Sequence, residues 1–275
     1  MTLNQSTTIE QQLQQIAEML LVNGLFTDCP GLIHGKTGIA IFFFHYGRYT
    51  DNELFEDYAF DLVDSIQQQI HNNSPADYKA GISGIGVGMD YLLTNQFISA
   101  DDDIYNDFDE RIYRAVMYDP RLDCLYDGLT GYGRYWMMRL NRQPSSVTAR
   151  ECLLRIATYV EENVSKIMAK EQSDVYDFLQ NLCRIPSFEI FSHVLKQCQL
   201  LNFQTSDFSR FGNSAVSEIA RNHQHNPMQK DETIQFLQLD LEKEPVNMGI
   251  LSGYAGEGML RLAALNPINQ WILFL

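Results

Sequence analysis

The sequence GLIHGKTGIAIFFF at residues 31–44 recurs three times along the chain in modified form. The later copies are GISGIGVGMDYLL at 81–93, GLTGYGRYWMMRL at 128–140 and GYAGEGMLRLAAL at 253–265. Each block joins a Gly-x-x-Gly pair to an apolar run of about three helical turns. The pairs begin at Gly35, Gly81, Gly128 and Gly253, so successive steps are 46, 47 and 125 residues, and the last has room for two further units. A period in the forties is typical of a solenoid or of a closed ring of similar units.

Two kinds of helix are predicted from the distribution of apolar residues. The runs Ile39–Phe44 and Tyr135–Met138 are apolar on all sides, which is typical of inner helices that are covered on every face. Other segments are apolar on one face only, which is typical of outer helices. Their apolar residues are Ile9, Leu13, Ile16 and Leu20, behind the expected caps Ser6 and Thr7; Phe55, Tyr58, Leu62, Ile66 and Ile70; and Ile104, Phe108, Ile112 and Val116.

This alternation predicts an all-α protein, with residues 1–275 forming a single α/α toroid of about six hairpins, each with one inner and one outer helix. We expect the glycines to allow sharp turns with positive φ and a close approach of neighbouring helix ends. No block is followed by the Lys-Ser/Thr of a phosphate-binding loop and none follows a predicted strand, so nucleotide binding is not indicated. The middle third, 173–244, lacks the glycine blocks, and weaker helices are predicted around Val175–Leu182, Glu189–Leu200 and Ser214–Asn222.

Composition limits the classes of partner. The 35 acidic residues outnumber the 20 basic ones, and a net charge of -15 repels nucleic acids and anionic membrane surfaces. We therefore expect neither as a partner, and the absence of a signal sequence or of an apolar run of about 20 residues favours a cytoplasmic protein. The five cysteines are odd in number and form no Cys-x-x-Cys pair, which is typical of reduced thiols.

The four glycine blocks resemble the repeats of the lanthionine synthetase C-like family. The resemblance covers about 31–142 and 247–275, in segments such as YDGLTGYGRYWMMRL and NMGILSGYAGEGMLRLAALNP. It implies an α/α toroid whose inner helices begin at glycine motifs. Bacterial members of that family are cyclases in ribosomal peptide maturation, which add a cysteine thiol across a dehydrated serine or threonine and form a thioether.

The zinc site of that family has no counterpart in this sequence. The family binds zinc through two cysteines and a histidine in Trp-Cys-Tyr-Gly-like and Cys-His-Gly motifs, and the metal deprotonates the attacking thiol. Neither motif occurs here, so we expect no cofactor and no family-type zinc site. Replacement ligands would have to be Cys183, His193 and Cys198. However, His193 and Cys198 are five residues apart and diverge by about 140° around a helix, so we interpret all three as structural.

Polar and aromatic residues near the starts of inner helices are candidates for a peptide-binding cavity at the ring axis. These are Asp90, Tyr126, Tyr132, Arg134, Tyr254 and Glu257, with Lys36 and Arg261 at similar positions. The resemblance also implies an acidic residue shortly before the third block, where Asp123 and Asp127 lie, and a His-Gly pair, which occurs only at His34 in the first block. Asp127 and His34 are therefore the candidate catalytic residues. The alternative is that Asp127 is a turn or cap residue and that the aromatic side chains fill the core.

Three functions are compatible with this sequence. The first is a metal-free cyclase homologue that binds a peptide substrate or another maturation enzyme. The second is an active, zinc-dependent, thioether-forming cyclase with relocated ligands, and this is the activity we expect if the protein is an enzyme. The third is a carbohydrate-acting toroid enzyme, which would use paired carboxylates such as Asp90 and Glu257. We also expect the apolar end Trp271–Leu275 to dock on the first hairpin, and an incompletely covered ring edge to mediate homodimerisation.

Overall fold

All regular secondary structure in the described part of the chain is helical, which confirms the predicted all-α class. The computed structural model describes residues 3–99, 105–122, 124–203, 248–251 and 253–266. The α-helices are α1 Leu3–Asn23, α2 Lys36–Thr50, α3 Glu53–Gln69, α4 Ile82–Thr94, α5 Asn106–Tyr118, α6 Leu129–Arg142, α7 Val147–Asn163, α8 Gln172–Leu182, α9 Ser192–Leu200 and α10 Tyr254–Leu265. Short 3₁₀ turns occupy Val164–Lys166, Ala169–Glu171 and Glu189–Phe191. No helix among the described residues is both long and apolar enough to cross a membrane.

Each glycine block is followed directly by one of the predicted inner helices. Helices α2, α4, α6 and α10 begin one residue after Gly35, Gly81, Gly128 and Gly253. The run Ile39–Phe44 in α2 is at most 1% exposed at any residue, as expected for a helix that is apolar on all sides. In α6, Tyr135 and Trp136 are equally buried, although Met137 retains partial exposure.

A recurring backbone hydrogen bond closes the loop in front of the inner helices. The first amide of α2, Lys36 N–H, donates to the carbonyl of Cys29 seven residues earlier, with an N···O distance of 2.9 Å. Ile82 N–H donates to Pro75 O at 2.9 Å with the same spacing, and Ala255 N–H does so to Met248 O at 3.3 Å. The loop carbonyls therefore satisfy amides that a helix N-terminus leaves without an intrahelical partner.

A buried hydroxyl supports this closure at the second variable position of three Gly-x-x-Gly pairs. Thr37 Oγ1 donates to Pro30 O at 2.6 Å, Ser83 Oγ to Asp77 O at 2.8 Å, and Thr130 Oγ1 to Leu125 O at 2.7 Å. The fourth block has Ala255 at this position and lacks the hydroxyl.

The expectation that the block glycines adopt positive φ is wrong at the helix starts. Gly35, Gly128 and Gly253 have φ of -135°, -102° and -128°, which other residues also adopt. The space around them is what requires glycine. A Cβ on Gly35 would lie 2.2 Å from Cys29 O, and one on Gly81 would lie 2.3 Å from Pro75 O. The close approach of loop and helix, which we also predicted, is therefore the reason for glycine.

The outer helices bury one face, as predicted. Helix α1 buries Ile9, Leu13, Ile16 and Leu20, and α3 buries Ala59, Leu62, Val63 and Ile66 behind the Asn52 cap. In α5, Ile112 and Val116 are buried, while Ile104 lies outside the described residues. The predicted caps Ser6 and Thr7 are wrong, because α1 already begins at Leu3 and includes both.

The chain divides into two compact units. Unit 1 takes its described residues from Met1–Ser74, Tyr91–Ile98 and Phe208–Leu275. Within it, α10 packs on α1 and α2, and α3 packs on α2. A Cβ on Gly258 of α10 would lie 2.3 Å from the Phe42 ring, so this pair of inner helices is in close contact.

Unit 2 takes its described residues from Pro75–Asp90 and Ser99–Asp207. Here α6 packs on α5, α7 and α8, and α8 packs on α9. The Arg139 guanidinium is bidentate on the Asp109 carboxylate, with N···O distances of 2.7 and 2.8 Å, and this ion pair joins α6 to α5.

Two of the three helices expected in the middle third are confirmed. Helix α8 covers the predicted segment Val175–Leu182, and a 3₁₀ turn followed by α9 covers Glu189–Leu200. The third prediction, Ser214–Asn222, and the predicted docking of Trp271–Leu275 both lie outside the described residues.

The first prediction concerns Gly81. At a position whose backbone conformation alanine can adopt without strain, a Gly→Ala change stabilises a protein because it restricts the unfolded chain. Here the new Cβ would meet three backbone atoms of Pro75 and Asp77 within 2.8 Å. We expect Gly81→Ala to lower the free energy of unfolding by about 1–3 kcal/mol, measured by urea denaturation. Asn72→Ala, at an exposed position just upstream, is the control and should change it little. A Gly81→Ala protein of unchanged stability would contradict the close approach.

Helix α2 also carries a buried histidine in unit 1. The His45 Nε2 atom lies 2.7 Å from the Tyr91 hydroxyl, and the side chain packs edge-on against Phe97. Burial, and then the charge of Arg48, lower the pKa of the His45 imidazole to about 3. His45 is therefore neutral in the folded protein at neutral pH.

The second prediction follows from this depressed pKa. The unfolded chain binds the His45 proton near pH 6.5, whereas the folded chain does so only near pH 3. The free energy of unfolding should therefore fall as the pH falls through this interval, and His45 accounts for about 2 kcal/mol between about pH 7.5 and pH 5. His45→Gln keeps a polar group beside Tyr91 but cannot titrate, so it should abolish this loss of about 2 kcal/mol. Urea denaturation at both pH values measures the free energy of unfolding of the two proteins. If that free energy depends on pH identically in both, the buried His45 imidazole is not neutral.

Candidate functional site

The loops that precede α4 and α6 bring several sequence-predicted candidates together in unit 2. We call this group the loop cluster. Its members are Asp77, Tyr78, Lys79, Arg121, Tyr126, Asp127, Tyr132, Arg134 and Asp174. Four of the predicted site residues, Tyr126, Asp127, Tyr132 and Arg134, are therefore in one neighbourhood.

Asp127 joins the two loops. Its Oδ1 atom accepts the backbone N–H of Lys79 at 2.8 Å and that of Tyr78 at 3.1 Å. The Asp127 backbone carbonyl also accepts from Tyr78 N–H at 2.9 Å. The side chain thus organises the loop of the second glycine block, whereas the cap position of α6 itself is Gly128. The sequence left open a turn or cap role for Asp127 in its own block, whereas its side chain accepts from a loop 48 and 49 positions upstream.

Arg121 bridges two carboxylates of the cluster. Its Nη1 atom lies 3.5 Å from Asp77 Oδ2 and 3.6 Å from Asp127 Oδ2. Burial and the nearby Asp127 charge raise the pKa of Asp77, although Arg121 and the backbone amide of Ala80 oppose the shift. A carboxyl with a raised pKa is the kind of group that general acid–base catalysis uses. Both carboxylates also accept backbone N–H groups of the loop before α4, Asp127 from Tyr78 and Lys79 and Asp77 from Ala80.

Arg134 lies at the aromatic side of the cluster. Its guanidinium carbon is 4.7 Å from the centroid of the Tyr126 ring and 5.6 Å from that of Tyr78. Its Nη2 atom is 4.0 Å from Asp174 Oδ1, which is too long for a hydrogen bond. Lys79 approaches the Tyr126 ring as well, with Nζ 5.5 Å from its centroid.

Tyr126 and Tyr132 are both almost fully buried. Tyr126 N–H donates to Glu171 Oε2 at 3.2 Å, which fixes the loop against the 3₁₀ turn before α8. Burial and the Asp77 charge raise the pKa of the Tyr132 phenol, which is therefore protonated at neutral pH. Their burial agrees with the interpretation that these aromatic side chains fill the core.

The remaining cavity candidates are held in ion pairs or lie apart from the loop cluster. Asp90, in unit 2, pairs with Arg142. Glu257, in unit 1, accepts from Arg261 Nη1 at 2.8 Å. Tyr254 is buried at the start of α10, and His34 is exposed just before Gly35. The neighbouring candidate Asp123 lies outside the described residues.

Cys183, His193 and Cys198 do not form a ligand group. The imidazole of His193 is exposed, with Nδ1 2.7 Å from Ile190 O and Nε2 2.6 Å from Glu161 Oε1, so both nitrogens are engaged. Cys198 is buried on the other side of α9, as the spacing predicted. Burial raises the pKa of the Cys198 thiol to about 11 and also raises that of Cys183, which opposes the thiolate form that metals bind. Among the described residues, no three Cys, His, Asp or Glu side chains are grouped in a way that could hold a metal ion.

Sequence reasoning missed several members of the loop cluster. A signal was present for Asp77, because Asp77, like Asp127, lies in the loop just before a Gly-x-x-Gly pair. Arg121 and Asp174 carried no such signal. Their contacts with Asp77 and Arg134 join segments about 40 residues apart.

Comparison with known proteins gives no assignment for the site. No family model matches the chain, and neither a curated protein nor a solved structure gives a significant match. Any role for the loop cluster must therefore be argued from its own chemistry and from the glycine blocks.

The third prediction concerns Asp127. Asp127→Ala removes the side-chain acceptor of the Lys79 amide, whereas Tyr78 N–H keeps the Asp127 carbonyl, and we expect the free energy of unfolding to fall by about 1–3 kcal/mol. Asp127→Asn keeps one acceptor oxygen and should lose less. Asp119→Ala, at an exposed position in the segment after α5, is the matched control. Urea denaturation measures all three, and equal stabilities of Asp127→Ala and Asp119→Ala would show that Asp127 does not organise the loop.

Proposed function

We propose that this chain is a lanthionine synthetase C-like protein with an α/α toroid fold, which acts in ribosomal peptide maturation without the family's zinc. Its role in this proposal is to bind a peptide or a partner enzyme. The proposal rests on the four glycine blocks and on the absence of the family's zinc-ligand motifs from the sequence.

The observation that carries the toroid part is the packing of α10 in unit 1. A ring of hairpins has to bring its last inner helix beside its first, and α10 packs on both α1 and α2. Arg261 of α10 donates from Nε to Gln12 Oε1 of α1 at 3.0 Å, across 249 positions of sequence. Because Arg261 is fully buried, this contact belongs to the core of the unit.

Peptide binding is supported by the composition of the loop cluster. Its polar side chains Lys79, Asp127 and Arg134 are partly exposed, whereas its aromatic rings are buried. Binding sites for organic ligands commonly use a few fixed polar groups of this kind to orient the ligand. The loops that carry these groups are held by backbone hydrogen bonds, so their geometry is preorganised.

Neither alternative activity has a specific observation in its favour. A zinc-dependent cyclase with relocated ligands would need thiolates, whereas the Cys198 thiol is buried and His193 is bonded at both nitrogens. A carbohydrate-acting enzyme would need two free carboxylates, whereas Asp90 and Glu257 are each paired with an arginine. The expected homodimer stays a prediction.

The fourth prediction combines metal analysis with a binding assay. We expect purified protein, after dialysis, to contain well under one zinc per chain by elemental analysis. We also expect saturable binding of a synthetic peptide that carries one cysteine and one dehydroalanine, followed by fluorescence anisotropy. Titration of free thiol should show no cyclisation of that peptide, even with zinc supplied.

Three results would contradict this function. One stoichiometric zinc that is lost in Cys183→Ala or Cys198→Ala would favour the relocated site, and so would zinc-dependent loss of thiol. Absence of saturable binding to the cysteine- and dehydroalanine-bearing peptide would remove the peptide-binding role. Arg155→Met, at an exposed position on α7, is the control for nonspecific charge effects.

A further inference from the structure

Helix α1 of unit 1 ends in a group of apolar side chains that are open to solvent. Up to Glu18 the outward face of the helix is polar. After Glu18, four of six consecutive residues are large, apolar and exposed, and Phe26 has 83% of its surface in solvent. We call this group the apolar turn, and its members are Leu21, Val22, Leu25 and Phe26. Single exposed apolar residues are common in proteins, whereas a group of them marks an interaction surface.

Hydrogen bonds fix the backbone of the apolar turn. Gly24 N–H donates to Leu20 O at 2.7 Å. The Tyr58 hydroxyl of α3 accepts from Leu25 N–H at 3.2 Å and lies 3.0 Å from Leu21 O, to which it donates. A Cβ on Gly24 would lie 2.7 Å from the same hydroxyl, so the turn is in close contact with α3. Because this geometry exists before a partner arrives, little ordering of the turn is needed on binding.

Exposed carboxylates lie on both sides of the apolar turn in the sequence. Glu18 precedes Val22 by one helical turn, so the two side chains share a face of α1. Asp28 follows Phe26 by two residues and is also exposed. The apolar side chains are therefore flanked by negative charge.

Helix α3 adds a further negative charge beside the turn. Burial raises the pKa of the Tyr58 phenol and the charge of Asp61 adds to the rise, so Asp61 lies within electrostatic reach of the hydroxyl that holds the turn. Neither residues 1–35 nor α3 contain a lysine or an arginine. No basic side chain of these segments offsets the carboxylates.

This charge decides which kind of partner fits. In a symmetric dimer through the apolar turn, the carboxylates of the two copies would face each other, and like charges across an interface are repelled. An anionic membrane surface would be repelled as well. A segment that presents apolar residues flanked by lysine or arginine would instead gain both apolar contact and electrostatic attraction.

We infer that the apolar turn docks a basic amphipathic segment of a partner protein. Its apolar residues contact Val22 and Phe26, and its cationic side chains lie near Glu18, Asp28 and Asp61. The inference goes beyond the proposed function and uses no residue of the loop cluster.

The test, which is the fifth prediction, uses two fluorescein-labelled peptides, KALKALKKALKALK amide and its acidic counterpart EALEALEEALEALE amide. Anisotropy titrations with the full chain in about 0.15 M salt should show saturable binding of the basic peptide only. Phe26→Ser should weaken that binding about tenfold, because one large apolar side chain is lost from the contact. Leu200→Ser is the matched control and should bind like the wild type, since Leu200 is 84% exposed on α9.

A second pair of variants tests the electrostatic part. The double variant Glu18→Gln, Asp28→Asn should weaken binding of the basic peptide about threefold. The double variant Asp119→Asn, Glu162→Gln removes the same charge at exposed positions of unit 2 and should bind like the wild type. All these substitutions are at exposed positions, and circular dichroism checks that each variant is folded.

Alkylation tests whether the surface is open in the free chain. Phe26→Cys and Leu200→Cys should react with iodoacetamide at similar rates, followed by mass spectrometry, and the basic peptide should slow only the reaction at position 26. Slow alkylation of Phe26→Cys without peptide would show that this chain or a second copy already covers the turn, which would overturn the inference.

The binding assays can overturn it in four further ways. These are no saturable binding of the basic peptide, equal binding of the acidic one, unchanged affinity in Phe26→Ser, and an equal loss in Leu200→Ser. A dimer in sedimentation that Phe26→Ser abolishes would assign the surface to a second copy instead. None of these results depends on zinc content or on binding of the cysteine- and dehydroalanine-bearing peptide, so failure of this inference is distinguishable from failure of the proposed function.

Discussion

The contact on which the described structure depends is the close approach of a loop carbonyl to the first turn of each apolar helix. At Gly35 and Gly81 a Cβ would lie within 2.3 Å of a carbonyl oxygen, and the amide that follows each glycine donates to a carbonyl seven residues upstream. This contact satisfies amides that would otherwise be buried without a partner. It therefore allows the start of a buried helix to lie in the protein interior, where water cannot replace the missing hydrogen bonds.

Beyond the helix starts, further glycines allow a helix to lie close to an aromatic ring of its neighbour. Gly258 faces the Phe42 ring in unit 1, and Gly133 faces the Phe178 ring in unit 2. In both places a glycine on one helix receives an aromatic ring from another, so the contact is close and directional. The glycines thus have two functions, since some admit a loop carbonyl and others admit a ring. Both functions require the absence of a side chain and neither requires positive φ.

The sequence was sufficient to predict the helix types, because burial on all sides or on one side follows directly from apolar periodicity. Ile39–Phe44 and the apolar face of α1 illustrate this. The conformation of the block glycines could not be predicted, because φ depends on the path of the loop and not on residue type alone. For the site, the position beside a glycine block identified Asp127, whereas Asp174 reaches the cluster from a distant helix and Arg121 meets both carboxylates only through the path of its loop.

The division into units has a consequence for the order in which the protein is built. Unit 2 draws its described residues from two segments between Pro75 and Asp207, whereas unit 1 needs helices from both distant parts of the chain. Contacts between remote segments form slowly, because a long loop must close before they contribute. During translation, unit 2 can complete its core while α1 and α2 still expose the apolar surface that α10 will cover. The surface of α2 that α10 covers therefore stays open until residues 254–265 have left the ribosome.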